Sequence, residues 1–496
     1  MSQTRNSRRE FLRQMACVAC SGGAAAMFPQ LRMMSTALAS TSAGSTSALS
    51  GYKALVCVYL AGGNDAWNLL VPFDSSRYNV YSTSRSGVYD AANNPGGLGL
   101  VKPTTPTQIA AQKIIDGNDA SSATNQYFLN PNVPELTSLF NSGNLAFVVN
   151  AGTLVKPITM SDYLGSSSNY PDQLFSHADQ TNQWQQGYAV ETSNLGWGGQ
   201  CGDVLGGSNG NQELSSCISI AGANRFEVGL TTVPYQLSSN GLTNLKGMCN
   251  TTCNGNNKLR DTALNNLLGE TYANDFSGSY SDVFGRGRGL YSLLAPDLPA
   301  YAPKTVFPNG NSLAAQLQTV ASMINLCAQK GYASRQIYFV QLGGFDLHSG
   351  MMSGNGNHGQ LLAEVSTALN AFWSAMGPGD VNLQDSVTLF TMSEFARTLQ
   401  SNGSGADHAW GTVQMVMGGA VNGGKLYSNG GGPISGFPNQ ALNAPNNFAR
   451  GQMIPGIGVE QYAATLAQWM GVTSTTDLNT IFPNLVHFSS NNLGFV

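Results

Sequence analysis

The longest apolar runs of the chain alternate with amphipathic helical patterns. Residues 53–60 form a continuous apolar run, which is typical of a strand buried on both faces of a sheet. Runs of the same kind occur at 145–150, 336–342, 386–392 and 412–418. Apolar residues three and four positions apart predict helices at 134–141, 312–330, 359–375 and 459–470. Alternating strands and helices predict an α/β fold with a mostly parallel central sheet flanked by helices.

Three long stretches interrupt this pattern. They lie at about 75–130, 157–260 and 275–311, and they are rich in Gly, Asn and Ser with weak periodicity. Structureless loops of this length are uncommon inside a compact domain. We therefore predict a single domain over residues 52–496, with loop-rich insertions that carry small strands and helices over one face of the sheet.

The N-terminal residues have the features of an export signal. Arg8 and Arg9 precede a modest apolar run, and Ala37–Ala39 offer a small-residue cleavage site. Residues 1–39 are therefore predicted to be a twin-arginine signal peptide, followed by a flexible linker at 40–51. The alternative is a basic surface helix. On the export interpretation, the partner is the twin-arginine machinery, and the mature protein is periplasmic or secreted.

Composition narrows the class of protein. Charged residues are 10% of the 496 residues, against about 25% in ordinary soluble domains, while hydrophobic residues reach 42%. These values exclude a highly charged disordered chain and a coiled coil. Without the leader, 18 basic and 26 acidic residues remain, a net charge of −8. An acidic protein of this kind has no electrostatic reason to bind nucleic acid. The apolar run of the leader is too short to span a bilayer, and no other stretch reaches the length of a transmembrane helix, so we predict no transmembrane anchor in the mature form.

The cysteines fall into two groups. Cys57 and Cys327 lie within apolar patterns and are predicted to be buried and inert. Two further pairs flank short polar stretches, so local disulfides are predicted for an oxidising compartment. These pairs are Cys201 with Cys217 and Cys249 with Cys253.

Polar residues of metal-binding types follow the predicted strands. In open α/β sheets, ligands bind at the carboxyl ends of the strands. The residues at these ends, or shortly after them, are Asp65, Asp346, His348, Glu394, Arg397, Asp407 and His408. Carboxylates and imidazoles together suit a divalent metal site for Zn, Mn or Mg. The alternative is that each residue only caps a helix or braces a glycine-rich turn.

Several motifs in order resemble the DUF1501 family of exported bacterial proteins. They are KALVCVYLAGGNDAWNLLVPFD, FSHADQTNQWQQG, GGFDLHSGM, TMSEFARTLQSNGSGADHAWG and GGAVNGGKLY. The resemblance covers about residues 52–496. Because the family is placed in the alkaline phosphatase and sulfatase superfamily, it implies an alkaline phosphatase-like sheet and a metal-dependent hydrolase of phosphate or sulfate esters. The alternative is a non-catalytic periplasmic or surface binding or assembly protein on the same fold, with a degenerate site.

The resemblance also implies roles for particular residues. It implies two metals, with ligands at Asp65, Asp346, His348, Glu394 and His408. Ser176, at a predicted helix start, would be the nucleophile, with Thr181 or a water as substitutes. Arg397 would bind the ester oxygens, although a structural Arg paired with a carboxylate is the alternative. Asp407 would orient His408. His358 either faces the site or is a plain surface residue.

Overall fold

The computed structural model describes residues 51–496 except 168–169, 191–192, 212–213, 243, 245–246, 249–253 and 429–436. The predicted signal peptide at 1–39 and nearly all of the predicted linker lie outside the described residues, as do Cys249 and Cys253. The export signal and this second cysteine pair therefore stay predictions.

Strands and helices alternate along most of the described chain. The strands are β1 (Lys53–Leu60), β2 (Leu70–Pro72), β3 (Lys113–Ile115), β4 (Gln126–Leu129), β5 (Leu145–Gly152), β6 (Cys217–Ser219), β7 (Tyr235–Gln236), β8 (Arg335–Leu342), β9 (Val387–Met392), β10 (Thr412–Gly418), β11 (Leu426–Tyr427), β12 (Asn447–Phe448), β13 (Gln452–Met453) and β14 (Ile457–Gly458). The helices are α1 (Ser75–Ser84), α2 (Pro106–Gln112), α3 (Pro134–Asn141), α4 (Met160–Gly165), α5 (His177–Gln186), α6 (Trp197–Leu205), α7 (Gly255–Gly269), α8 (Asp275–Leu294), α9 (Ser312–Lys330), α10 (His358–Ala375), α11 (Val459–Met470) and α12 (Thr475–Ile481). Each strand and helix predicted from the apolar pattern is present, to within two residues at either end.

The chain divides into two compact units, and the larger one carries most of the sheet. This larger unit comprises Leu55–Ser193, Thr305–Ala314 and Gln341–Val496. Its strands follow the order β11-β5-β10-β9-β1, with β14 also paired to β5. β11 and β14 run parallel to β5, whereas β10 is antiparallel to both β5 and β9. Residues 54–60 and all of β5 are buried, as expected for strands covered on both faces.

The smaller unit contains, among the described residues, 51–54, Asn194–Lys304 and Ala315–Val340. Its strands have the order β8-β6-β7, and β6 is parallel to both neighbours. The predicted class is confirmed: the fold is α/β with a large, mostly parallel central sheet and flanking helices.

The third predicted insertion contains more helix than the sequence indicated. The 20-residue helix α8 fills Asp275–Leu294. Four glycines interrupt its apolar periodicity, and each costs about 1 kcal/mol relative to Ala in a helix interior. Leu290 and Leu294 are nevertheless fully buried, so packing outweighs this weak local propensity.

The predicted disulfide between Cys201 and Cys217 is wrong. Both residues are free thiols that are fully buried, one on α6 and the other on β6. The Cys217 thiol donates to the carbonyl of Gly198 at 3.6 Å. Burial raises the pKa of both thiols above the usual range, which makes them unreactive. Cys57 and Cys327 are free and buried, as predicted.

None of the helices in the described part of the chain combines the length and apolar character needed to cross a bilayer.

A buried glutamate in the smaller unit makes stability depend on pH. Glu227 is fully buried, and burial raises its pKa to about 8, against a smaller opposing effect of hydrogen bonds from Asn224 and the backbone of Ile218. The folded state therefore holds a proton that the unfolded chain releases at about pH 4.5. This stabilisation is complete below about pH 4.5 and is lost as the pH rises towards 8.

We expect Glu227→Gln to remove this pH-dependent loss of stability. Between pH 5 and 8, the wild type should lose about 2–4 kcal/mol of unfolding free energy more than the variant. Urea titrations across that range measure the difference, and Glu270→Gln, at an exposed position, is the matched control. Equal pH slopes for the wild type and Glu227→Gln would contradict a buried neutral carboxyl.

Candidate metal centre

The residues of the candidate centre all lie in the larger unit, next to strand ends. Asp346 and His348 follow β8, and Glu394 and Arg397 follow β9. His408 precedes β10, and a single β-bridge pairs it with Arg397. The sheet therefore brings together side chains that are about 60 positions apart in sequence, as strand-end sites require.

A histidine that the sequence reasoning did not select completes the group. His177 is the first residue of α5, whose N-cap is Ser176. Gln173 and Phe175 just before it have left-handed backbone, with φ of 53° and 74°. Such values are uncommon outside glycine. This tight turn brings His177 into the group and directs the Phe175 carbonyl to His408.

Three imidazoles surround the carboxylate of Asp346. Its Oδ2 lies 3.5 Å from His177 Nε2, and its Oδ1 lies 3.3 Å from His348 Nε2 and 3.8 Å from His408 Nε2. One ligand atom from each of His177, Asp346 and His408 lies within 4.8 Å of the others. The Nε2 atoms of His348 and His408 are only 2.9 Å apart.

Each imidazole is held by an acceptor at its other nitrogen. The pairs are His177 Nδ1 with Glu394 Oε1 at 2.9 Å, His348 Nδ1 with Asp407 Oδ1 at 3.0 Å, and His408 Nδ1 with the Phe175 carbonyl at 2.8 Å. Carboxylates and carbonyls only accept hydrogen bonds, so these partners assign the proton of each neutral ring to Nδ1. The lone pair is then on Nε2, the nitrogen nearest Asp346.

This arrangement fits a divalent cation. Two lone pairs 2.9 Å apart repel each other unless a proton or a cation lies between them. Among the described residues, His177 Nε2 has no hydrogen-bond partner. Acceptors behind the imidazoles of a metal site fix the tautomer of each ligand, and each of the three imidazoles here has such an acceptor. Four side chains could thus hold the metal: His177, Asp346, His348 and His408.

Electrostatics favour the metal-binding protonation states of Asp346 and His408, whereas at His177 they favour the protonated ring, whose proton a metal would displace. Burial raises the pKa of Asp346, but the hydrogen bond and charge of Arg397, aided by His177 and His348, lower it overall. Burial lowers the pKa of His408, and the charges of Arg397 and the two neighbouring histidines add to this effect. The pKa of His177 is raised, chiefly by its hydrogen bond to Glu394.

Glu394 lies behind His177 and does not face the other ligands directly. It is only 3% exposed, and it accepts from the Gly62 backbone at 2.8 Å and from Tyr59 Oη at 3.1 Å as well as from His177. Gly62 is required here because its φ is 118° and a Cβ would lie 2.3 Å from the Asp346 nitrogen. The carboxylate predicted as a ligand is thus placed as the orienting partner of a ligand.

Four of the five N–H donors of Arg397 are engaged within the protein. Its side chain is fully buried, and Nε donates to Gly63 O at 2.9 Å, Nη1 to Ala406 O at 3.1 Å, and Nη2 to both Gly62 O and Asp346 Oδ1. The geometry therefore favours the structural alternative over the binding of ester oxygens.

The side chains of Asp65 and Ser176 have partners other than the group. Asp65 forms a buried ion pair with Arg85. The Ser176 hydroxyl donates to Asp179 Oδ2 and accepts from the Asp179 backbone at 3.5 Å, so it caps the start of α5.

Two other predicted contacts differ from the structure. Asp407 holds His348 and Arg450, whereas the Phe175 carbonyl holds His408. His358 is neither at the centre nor on the surface: it is buried and bonds Asn64 Oδ1 at 2.9 Å.

Comparisons with known proteins bear on the family. The model of the DUF1501 family, described as a protein of unknown function, matches residues 322–475. No curated protein sequence matches the chain. Among solved structures, the lipoteichoic acid synthase LtaP from Listeria monocytogenes is 10% identical, with 82% of this chain and 75% of that chain covered and a TM-score of 0.28. A likeness at that level carries no functional argument. The matched range includes Asp346, His348, Glu394, Arg397 and His408, so the family model covers most of the candidate centre.

Proposed function

We propose that the protein is a metal-dependent hydrolase of phosphate or sulfate esters. The observation that carries the proposal is the convergence of three imidazole Nε2 atoms on the Asp346 carboxylate, with an acceptor behind every imidazole. Such a donor set suits Zn or Mn better than Mg, because Mg prefers oxygen ligands. A bound divalent metal lowers the pKa of a coordinated water and neutralises charge that develops on an ester oxygen.

The exposure and charge of the centre suit an anionic substrate. The Asp346 side chain is 50% exposed and that of His348 is 44% exposed, so a substrate has access from solvent. Three carboxylates lie in or behind the centre: Asp346, Asp407 and Glu394. A divalent cation together with the guanidinium groups of Arg397 and Arg450 outweighs them, which leaves a net positive charge. This positive field favours binding of phosphate and sulfate groups.

In this proposal, side chains and one backbone carbonyl hold the metal ligands in place, and a water molecule supplies the attacking oxygen. The Ser176 hydroxyl caps α5, and Thr181 Oγ1 lies 2.8 Å from Tyr59 Oη. Both predicted side-chain nucleophiles therefore have other partners. Glu394, Asp407 and the Phe175 carbonyl fix the three imidazoles, while Arg397 fixes Asp346.

We expect Ser176→Ala to retain most of the hydrolytic activity and all of the metal. Loss of the cap should cost about 1 kcal/mol of unfolding free energy. The measurement is hydrolysis of p-nitrophenyl phosphate, bis-p-nitrophenyl phosphate and p-nitrophenyl sulfate by natively purified mature protein, with metal content measured in parallel. Ser176→Thr, which keeps a capping hydroxyl, is the control.

Other results separate the alternatives. Loss of activity with retained metal in Ser176→Ala would make Ser176 the nucleophile. Bound metal without cleavage of any ester by the wild type would favour the non-catalytic binding or assembly protein.

We also propose that the protein is exported by the twin-arginine route to the periplasm or beyond. The paired Arg8 and Arg9 and the small-residue site at 37–39 support this. Replacing both arginines with Lys should retain the precursor in the cytoplasm, because a receptor reads the arginine pair and not its charge alone. Cell fractionation measures this, and normal export of the double variant would overturn the proposal.

A further inference from the structure

A short β-hairpin borders the candidate centre. Its strands are β12 and β13, and residues 449–451 form its tip. Gln452 Nε2, on β13, donates to the His408 carbonyl at 2.6 Å. The Phe448 ring, on β12, lies 6.3 Å from the ring of Phe175, whose own carbonyl holds the His408 imidazole. The hairpin therefore contacts both the segment that carries His408 and the turn that orients it.

The backbone at the tip of this hairpin fixes the position of Arg450. Its neighbours Ala449 and Gly451 have left-handed backbone, with φ of 45° and 87°. A Cβ at Gly451 would lie 2.5 Å from the Leu399 side chain, so the tip packs directly against the segment after β9. The Arg450 carbonyl accepts from the Gln400 backbone at 3.0 Å, and that of Gly451 accepts from the Leu399 backbone at 3.3 Å. Arg450 is thus held in a defined place by its own backbone.

The Arg450 side chain reaches the partner of a candidate ligand and keeps donors for another group. Nη1 donates to Asp407 Oδ2, and the other oxygen of this carboxylate lies 3.0 Å from His348 Nδ1. Nη2 donates to the carbonyls of Gln400 and Ser401. In the described part of the chain, the Nε hydrogen and the second Nη1 hydrogen have no acceptor. Since the side chain is 37% exposed, a ligand can reach the guanidinium from solvent.

Arg450 therefore differs from Arg397 in what it can bind. Arg397 is fully buried and donates four of its hydrogens within the protein. The guanidinium of Arg450 is accessible, and its planar fork matches carboxylate and phosphate oxygens. Asp407 and the imidazole of His348 separate this guanidinium from the nitrogen that faces the cation position. An anionic group bound to the cation would therefore leave Arg450 available for a second anionic group.

We propose that Arg450 is a specificity-determining residue, and that the substrate is an ester with a second anionic group, a carboxylate or a phosphate, beyond the group that is hydrolysed. This inference rests on the proposed hydrolase and names its substrate class. The hydrolysed group binds at the cation, and the second group accepts hydrogen bonds from Arg450 Nε and Nη1. A charge-assisted contact of this kind corresponds to a preference of about 10-fold or more over a neutral analogue. Salt weakens the preference, because the guanidinium is partly exposed.

Pairs of esters that differ only in the second group test this specificity. With Zn²⁺-loaded mature protein, 4-carboxyphenyl phosphate and sulfate are compared with their neutral 4-carbamoylphenyl analogues. The wild type should have a kcat/KM at least about 10-fold higher for the anionic member, and Arg450→Met should reduce this ratio to about 1. Arg450→Lys keeps the charge but loses the fork, so it should retain part of the preference. Lys425→Met removes a partly exposed charge beside β11 and should keep the wild-type ratio.

The ratio separates substrate recognition from a structural role. If Arg450 only held Asp407, Arg450→Met would lower both rates and leave their ratio unchanged. That result, or a wild type without any preference, would overturn the inference and leave the hydrolase proposal standing. Zn²⁺ affinity is measured for each variant, and rates are compared at saturating metal.

Binding provides a second readout that does not need turnover. Calorimetry of the Zn²⁺-loaded protein compares butane-1,4-diol bisphosphate with the monophosphate. Tighter binding of the bisphosphate that is lost in Arg450→Met, without hydrolysis of any ester, would support the role of Arg450 and refute the hydrolase. Equal binding of the two compounds without any hydrolysis would refute both proposals.

Discussion

Asp346→Asn is expected to weaken metal binding by more than about 100-fold and to abolish ester hydrolysis. Loss of an orienting partner behind a ligand typically costs 10–100-fold in affinity, so loss of a ligand charge should cost more. Asp346 is also the carboxylate that all three imidazoles approach, and its replacement by a neutral amide leaves three nitrogen donors without an anionic partner. Calorimetric titration with Zn²⁺ measures the affinity.

Two further variants calibrate this result. Glu394→Gln keeps an acceptor for His177 but removes the charge behind it, so we expect an intermediate loss of about 10–100-fold. His487→Ala, at an exposed position of the C-terminal segment, should leave affinity unchanged. Equal affinity in Asp346→Asn and His487→Ala would show that Asp346 is not a ligand.

Strand positions and the location of the centre could be predicted because they depend on local pattern. A strand buried on both faces must be apolar throughout, so β1, β5, β8, β9 and β10 are visible as runs in the sequence. The chemistry then follows from topology, since the residues after those strands meet at one edge. The structure brings Asp346, His348, Glu394 and His408 together, and their role as metal ligands stays a prediction.

The role of each residue, as a ligand or as the partner that orients a ligand, could not be predicted, because it depends on contacts between distant segments. Glu394 and Asp346 occupy similar positions after their strands, yet one lies behind His177 and the other faces it. The same limit applies to Asp65, whose partner Arg85 comes from the segment after α1. His177 was visible in the motif FSHADQ, but its neighbour Ser176 was chosen, since only the structure shows which side chain caps the helix.

Arg397 contributes both to folding stability and to the position of the candidate ligand Asp346, because one side chain bonds the loop after β1 and this carboxylate. Replacing it by Met, which is similar in length and apolar, should lower the unfolding free energy of the metal-free protein by about 3–5 kcal/mol, chiefly because backbone carbonyls lose their donor. The loss has two causes. Asp346 loses its charged partner, and the carbonyls of Gly62, Gly63 and Ala406 lose a donor in a buried environment where water does not replace it.

A conservative variant separates the contribution of the guanidinium shape from that of its charge to the unfolding free energy. Arg397→Lys keeps the positive charge but cannot reach three carbonyls and a carboxylate at once, so it should remain well below wild-type stability. Arg260→Lys is the matched control, since Arg260 is exposed and donates mainly to Asn257 Oδ1 within its own helix α7, so the change should cost less than about 1 kcal/mol. Urea titration of the metal-free proteins gives all three values. Wild-type stability in Arg397→Lys would mean that only the positive charge matters. The hydrogen bonds from Arg397 to the Gly62 and Gly63 carbonyls would then contribute nothing to stability.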